Sequence, residues 1–119
     1  MALEMHPRFD TASGDAELLC PACGSNYLHH GTVTVFSNYE DQEETTVTEV
    51  SAASREEASV TKVTTMQRAG SGTPSSRRDG LLIRFSCEGC HGTFDLGIAQ
   101  HKGNTQVAWR PVSAKAGVP

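Results

Sequence analysis

Cys20 to Ser25 reads CPACGS, and a matching stretch lies far downstream in CEGCHG, Cys87 to Gly92. These two stretches hold all 4 cysteines of the 119-residue chain. Two residues between cysteines is the spacing at which one tight turn presents both sulfurs to one ion. Zn²⁺ takes four ligands in a tetrahedron with Zn–S near ~2.3 Å, and four thiolates satisfy it fully. In the first turn Pro21 fixes φ and carries no N–H. Gly24 tolerates positive φ, so the chain can fold back and aim backbone N–H groups at the sulfurs. In the second turn Gly89 lies inside the pair, His91 directly follows Cys90, and the positive φ is left to Gly92. With no cysteine to spare, the spacing predicts one closed site of Cys20, Cys23, Cys87 and Cys90, holding one structural Zn²⁺ per chain.

The segments around these turns read as strands. TVTVFSNY, Thr32 to Tyr39, alternates, with Val33 and Val35 on one side and Thr32 and Thr34 on the other. In LLIRFSC, Leu81, Ile83, Phe85 and Cys87 share a face, with Arg84 and Ser86 opposite. TFDLGIAQ, Thr93 to Gln100, alternates through Phe94, Leu96 and Ile98. TQVAWRP returns after the turn chemistry of HKGN, His101 to Asn104, with Val107 and Trp109 on one face. Pro111 marks its end or an edge. The expected fold is all-β: a small antiparallel sheet with two zinc knuckles and a long insertion between them.

The domain is read as residues 17–111, after a flexible lead (1–16) and before a disordered tail (112–119). Its insertion, 40–79, opens on the acidic run EDQEE and contains two Thr/Val-rich stretches, TTVTEV and SVTKVTTM. The residues leave two readings open, a hairpin with a capping box at Ser54 and Glu57, or a polar mobile segment without a core. Gly, Ser and Pro dominate 69–80, the composition of a flexible loop.

Here the chain resembles the zinc-ribbon class. CPACG matches its CPxCG knuckle, and CEGC followed by a strand matches the second knuckle, across about residues 17–39 and 80–110. The resemblance implies a Cys₄ structural zinc between hairpin-like knuckles, in a class of mainly nucleic-acid- or protein-binding modules. Two departures stand out. The spacer between Cys23 and Cys87 is 63 residues, and no glycine directly follows Cys90. Closing a longer loop costs entropy that grows only slowly with length, so the site tolerates the spacer.

Composition narrows the function. The chain has 10 basic against 14 acidic residues, and four thiolates with one Zn²⁺ would take its formal charge from −4 to about −6. That balance disfavours a protein whose affinity comes from neutralising phosphates. No apolar run approaches the ~20 residues of a membrane span, and MALEMHPRFDTASGDAE does not read as a secretory signal. A cytoplasmic location, with thiols kept reduced, is therefore expected.

The favoured reading is a small non-catalytic module that binds another protein. The alternative is a nucleic-acid-binding ribbon, using Arg77, Arg78, Arg84, Lys102 and Arg110, with Trp109, Tyr27 or Phe36 as stacking faces. A zinc-thiolate redox switch would use the same four cysteines. His29, His30, His91 and His101 are read as surface or knuckle residues. Four cysteines already fill the tetrahedron, and no hydrolase or deaminase signature accompanies them.

Overall fold

The computed structural model describes residues 5–38, 42–51, 59–75 and 78–112. All regular structure among them is β. The strands are β1 (Phe9–Asp10), β2 (Glu17–Leu18), β3 (Leu28–Ser37), β4 (Glu44–Ser51), β5 (Val60–Gln67), β6 (Gly80–Cys87), β7 (Thr93–His101) and β8 (Asn104–Arg110). β1 and β2 form a small hairpin of their own. The other six make one antiparallel sheet in the order β5-β4-β3-β6-β7-β8. No helix among the described residues is long and apolar enough to cross a membrane.

The centre of the sheet is the pair β3–β6, which joins the strand after the first cysteine pair to the strand before the second. Leu28 lies opposite Cys87, so this pairing delivers the two cysteine turns to the same end of the sheet. A bulge between His30 and Val33 then shifts the register by one residue. β7 and β8 continue the sheet through a two-residue turn in which Lys102 (φ 49°) and Gly103 (φ 85°) are both left-handed. Consecutive left-handed residues make the type I′ turn that suits the twist of a hairpin.

The long spacer is part of this sheet. β4 pairs with β3 and β5 with β4, the latter over eight consecutive residue pairs, as the hairpin reading requires. Ser54 and Glu57, the expected capping box, lie outside the described residues, as does 113–119.

Side chains opposite one another on paired strands share a face, so the registers sort the sheet into two sides. One carries Phe36, Leu82, Arg84, Asp95, Gly97 and Arg110; the other carries Val33, Val35, Leu81, Ile83, Phe85, Leu96, Ile98 and Trp109. Of the Gly/Ser/Pro segment, Thr73 to Ser75 lie across the first side. Pro74 packs against Gly80 and Gly97, whose missing side chains leave it room. The Ser75 hydroxyl, itself buried, donates to the Gln100 carbonyl, and Arg110 Nη2 donates to the Pro74 carbonyl. Phe36 (1% exposed) and Leu82 (6%) are buried on this side as a result.

Part of residues 5–16, read from the sequence as a lead, pairs with the chain that follows. Phe9 pairs with Leu18 and Asp10 with Glu17; Leu19 N–H donates to the Arg8 carbonyl, and Trp109 N–H to the Met5 carbonyl. A backbone N–H on the outer strand needs an acceptor, and Met5 supplies one for β8. The core sits at this end, where Cys20, Cys87, Phe94, Leu96 and Trp109 pack together, with Leu18, Leu28 and Phe85 against them. The Trp109 ring meets Phe85 and Phe94 edge-to-face at centroid distances of 5.7 and 6.3 Å. Edge-to-face contact of this kind adds to the burial of the rings themselves.

Candidate metal centre

Each cysteine turn repeats the same backbone hydrogen bonds. In the first, Gly24 N–H donates to the Cys20 carbonyl and Cys20 N–H to the Ser25 carbonyl, at 3.0 and 2.8 Å. In the second, His91 N–H donates to the Cys87 carbonyl and Cys87 N–H to the Gly92 carbonyl, both at 3.0 Å. The residue four places after the leading cysteine is left-handed in both turns: Gly24 at φ 80° and His91 at φ 60°. Gly92 therefore does not take the positive φ assigned to it from the sequence. Its lack of a side chain serves another purpose, since a Cβ there would lie 2.6 Å from the Phe94 ring and 3.3 Å from Cys90 Sγ.

The two turns face one another. A Cβ on Gly89 would sit 3.2 Å from Ser25 Cβ and 3.4 Å from Cys23 Sγ, so the glycine permits the close approach. Glu88 N–H donates to the Tyr27 carbonyl, tying the second turn to the start of β3. The Glu88 carboxylate also meets His29 across the surface, so this histidine is occupied away from the cysteines.

As a consequence the Sγ atoms of Cys20, Cys23, Cys87 and Cys90 all lie within 4.8 Å of one another. Cys20 Sγ is 3.8 Å from Cys90 Sγ, and Cys23 Sγ is 3.6 Å from Cys87 Sγ. A disulfide would hold its sulfurs at about 2.0 Å. Sulfurs at the corners of a tetrahedron of ~2.3 Å radius stand about 3.8 Å apart, so the spacing fits one zinc-sized ion. The donors around the sulfurs fit as well. Ala22 N–H and Cys23 N–H point at Cys20 Sγ at 3.4 and 3.5 Å, and Gly89 N–H at Cys87 Sγ at 3.3 Å. Such contacts stabilise thiolate charge.

Burial, backbone N–H groups and crowded sulfurs set the electrostatics of the cluster. For Cys87, burial opposes ionisation, but the backbone N–H groups of Cys90 and Gly89 and the Cys23 thiol outweigh it and bring the pKa down to about 7. For Cys23, the Ser25 N–H favours the thiolate, yet desolvation and the neighbouring sulfurs push the pKa up to about 11. Without a cation the cluster thus favours a thiolate at Cys87 and a retained proton at Cys23. A divalent ion held at the centre would bring Cys23 to the thiolate as well, because metal-bound thiols ionise.

The residues expected to meet nucleic acid do not form one surface. Trp109 is 1% exposed, so no base can stack on it, and Phe36 is equally buried. Tyr27 is exposed. Arg84 is engaged by Asp95, donating from Nε at 2.9 Å and from Nη2 at 3.1 Å, and Arg110 lies under Pro74. Arg78 donates its backbone N–H to Ser75, Lys102 stands on the β7–β8 turn at the opposite end of the sheet from the cysteines, and Arg77 lies outside the described residues. Asp95 had no place in the sequence reading, because an acid in an alternating strand looks like a solvent-facing residue.

No family model, curated protein or solved structure matches the chain.

Proposed function

We propose that Cys20, Cys23, Cys87 and Cys90 hold one structural Zn²⁺, and that the chain is a non-catalytic, zinc-ribbon-like module that engages another protein. The observation that carries the metal reading is the approach of four sulfurs from two matching turns to within 4.8 Å. Four thiolates complete the tetrahedron and leave no position for a substrate, so the ion's role is to hold the turns together. In a sheet whose core is built around Cys20 and Cys87, metal binding contributes directly to folding free energy.

The protein-facing role is supported by the burial of Trp109 and by the ion pair that occupies Arg84. A nucleic-acid ribbon would need these groups free for stacking and phosphate contact. Native mass spectrometry should find one zinc per chain, and excess chelator should abolish the cooperative thermal melt. A melt indifferent to chelator overturns the structural metal. A gel shift with single- and double-stranded probes that weakens with salt would instead favour the nucleic-acid role.

A further inference from the structure

A single sheet must bury its apolar side against a second layer, and only part of the Val35 side has one. Over the cysteine end, residues 5–19 supply it, covering Trp109, Leu96 and Phe94. Over the rest the central side chains Val33, Val35, Leu81 and Ile98 are half-buried and the outer valines are exposed. The row that crosses the middle of the sheet is Val63, Thr48, Val35, Leu81, Ile98 and Val107, from β5 to β8. Val63 is 63% exposed and Val107 40%. The adjoining row runs from Thr61 through Val50, Val33 and Ile83 to the covered Leu96 and Trp109. Neither row holds a charge, and among the described residues acids enter at the far rim, at Glu44 and beside β6 at Asp79. The opposite side, by contrast, carries Lys62, Glu49, Arg84, Asp95 and Arg110 in the corresponding rows.

We infer that the Val35 side is the interface of a homodimer, in which a second copy supplies the missing layer. An uncharged Val/Thr/Ile surface with a polar rim meets its own image without like-charge repulsion, as a two-fold interface requires. Its size suits a weak dimer. Six strands about 4.8 Å apart and a strip about 17 Å long, less the covered positions of Leu96 and Trp109, give about 400 Å² per copy. Two copies then bury about 800 Å², the size of a transient contact, so association belongs to the upper part of the micromolar range. The N-terminal segment stands proud at one end only. A partner in the antiparallel orientation therefore lies beside it, so that each copy's segment flanks the other's sheet. This surface is separate from the cysteine cluster, but it presupposes the folded sheet that the proposed zinc supports.

Sedimentation equilibrium of the full chain, with zinc content measured on the same samples, tests the inference. From about 1 to 200 µM the mass should rise from that of one 12.7 kDa chain toward twice that value. Val63→Lys and Val107→Lys sit on exposed positions and should each weaken dimerisation at least tenfold, with the circular dichroism spectrum retained. Thr64→Lys, one residue along β5 but on the other side of the sheet, should leave it unchanged. A chain with one zinc that stays monomeric over the whole range overturns the inference while leaving the metal reading intact. A dimer indifferent to Val63→Lys and Val107→Lys but broken by Thr64→Pro also overturns it, because the contact would then be edge-to-edge along β5.

Discussion

Replacing Asp95 by alanine probes the most consequential charge in the sheet. Asp95 is 2% exposed and accepts two hydrogen bonds from Arg84 on the neighbouring strand. On its other flank it lies opposite Arg110, whose Nε is buried without a hydrogen-bond partner. Removing the carboxylate leaves two guanidinium groups on either side of an apolar gap. Breaking a fully buried pair costs about 3–5 kcal/mol, whereas an exposed pair contributes about 0–1 kcal/mol. The Arg84 side chain keeps 25% of its surface in water, so part of its hydration returns. The expected loss is therefore about 2–4 kcal/mol. In a domain of this size that lowers Tm by roughly 10–15 °C. Thermal melts of zinc-loaded protein at neutral pH provide the readout. The cycle with Arg84→Met and the double variant isolates the pair, with a coupling of about 1.5 kcal/mol or more expected. A Tm within about 3 °C of wild type, or additive single and double variants, would refute a dry, coupled pair.

Three further outcomes follow from the same geometry. Gly97→Ala places a Cβ 2.7 Å from Arg110 Nε and 3.3 Å from Pro74 Cβ, so the urea midpoint should fall by an amount equivalent to about 1–3 kcal/mol. His91→Gly relieves a left-handed side chain and should raise stability by about 0.5–1 kcal/mol in the same measurement, with zinc content unchanged. Zinc affinity should weaken more than tenfold between pH 8 and pH 6, since Cys23 must shed its proton to bind and Cys87, with a pKa of about 7, takes one up over the same range; competition with a chromophoric chelator reads this directly.

The cysteine turns were legible in the sequence because their determinants are local. The two-residue spacing, Pro21 and Gly24 are constraints on a handful of dihedral angles, and the turns adopt them. The strands were legible for the same reason, as was the Lys102-Gly103 turn, which asks two consecutive residues to be left-handed. The misassigned glycine shows the limit of local reading. Position four of the second turn must be left-handed by analogy with Gly24, but a sequence-based choice favours the nearest glycine over His91. Only the Phe94 ring, brought against Gly92 by the strand that follows, explains why that glycine is there.

The positions of segments rich in small polar residues were not legible in the sequence. Composition alone gives Ala69 to Gly80 no reason to settle, yet Gly80 and Gly97 open space that Pro74 fills, and they are separated by many residues in sequence. The same holds for residues 5–16, ordered by a strand edge at Trp109 more than ninety positions away. Asp95 and Arg84 were invisible as a pair because alternation assigns each to solvent, and the covering segment that dries them is non-local.

By itself, then, the sequence determined which residues turn, which extend and which four sulfurs belong together, since each depends on neighbours a few bonds away. The tertiary structure decided which parts of each side of the sheet the described segments cover. Coverage depends on which distant segments the β3–β6 pairing brings within reach, and side-chain alternation states only that a strand has two sides.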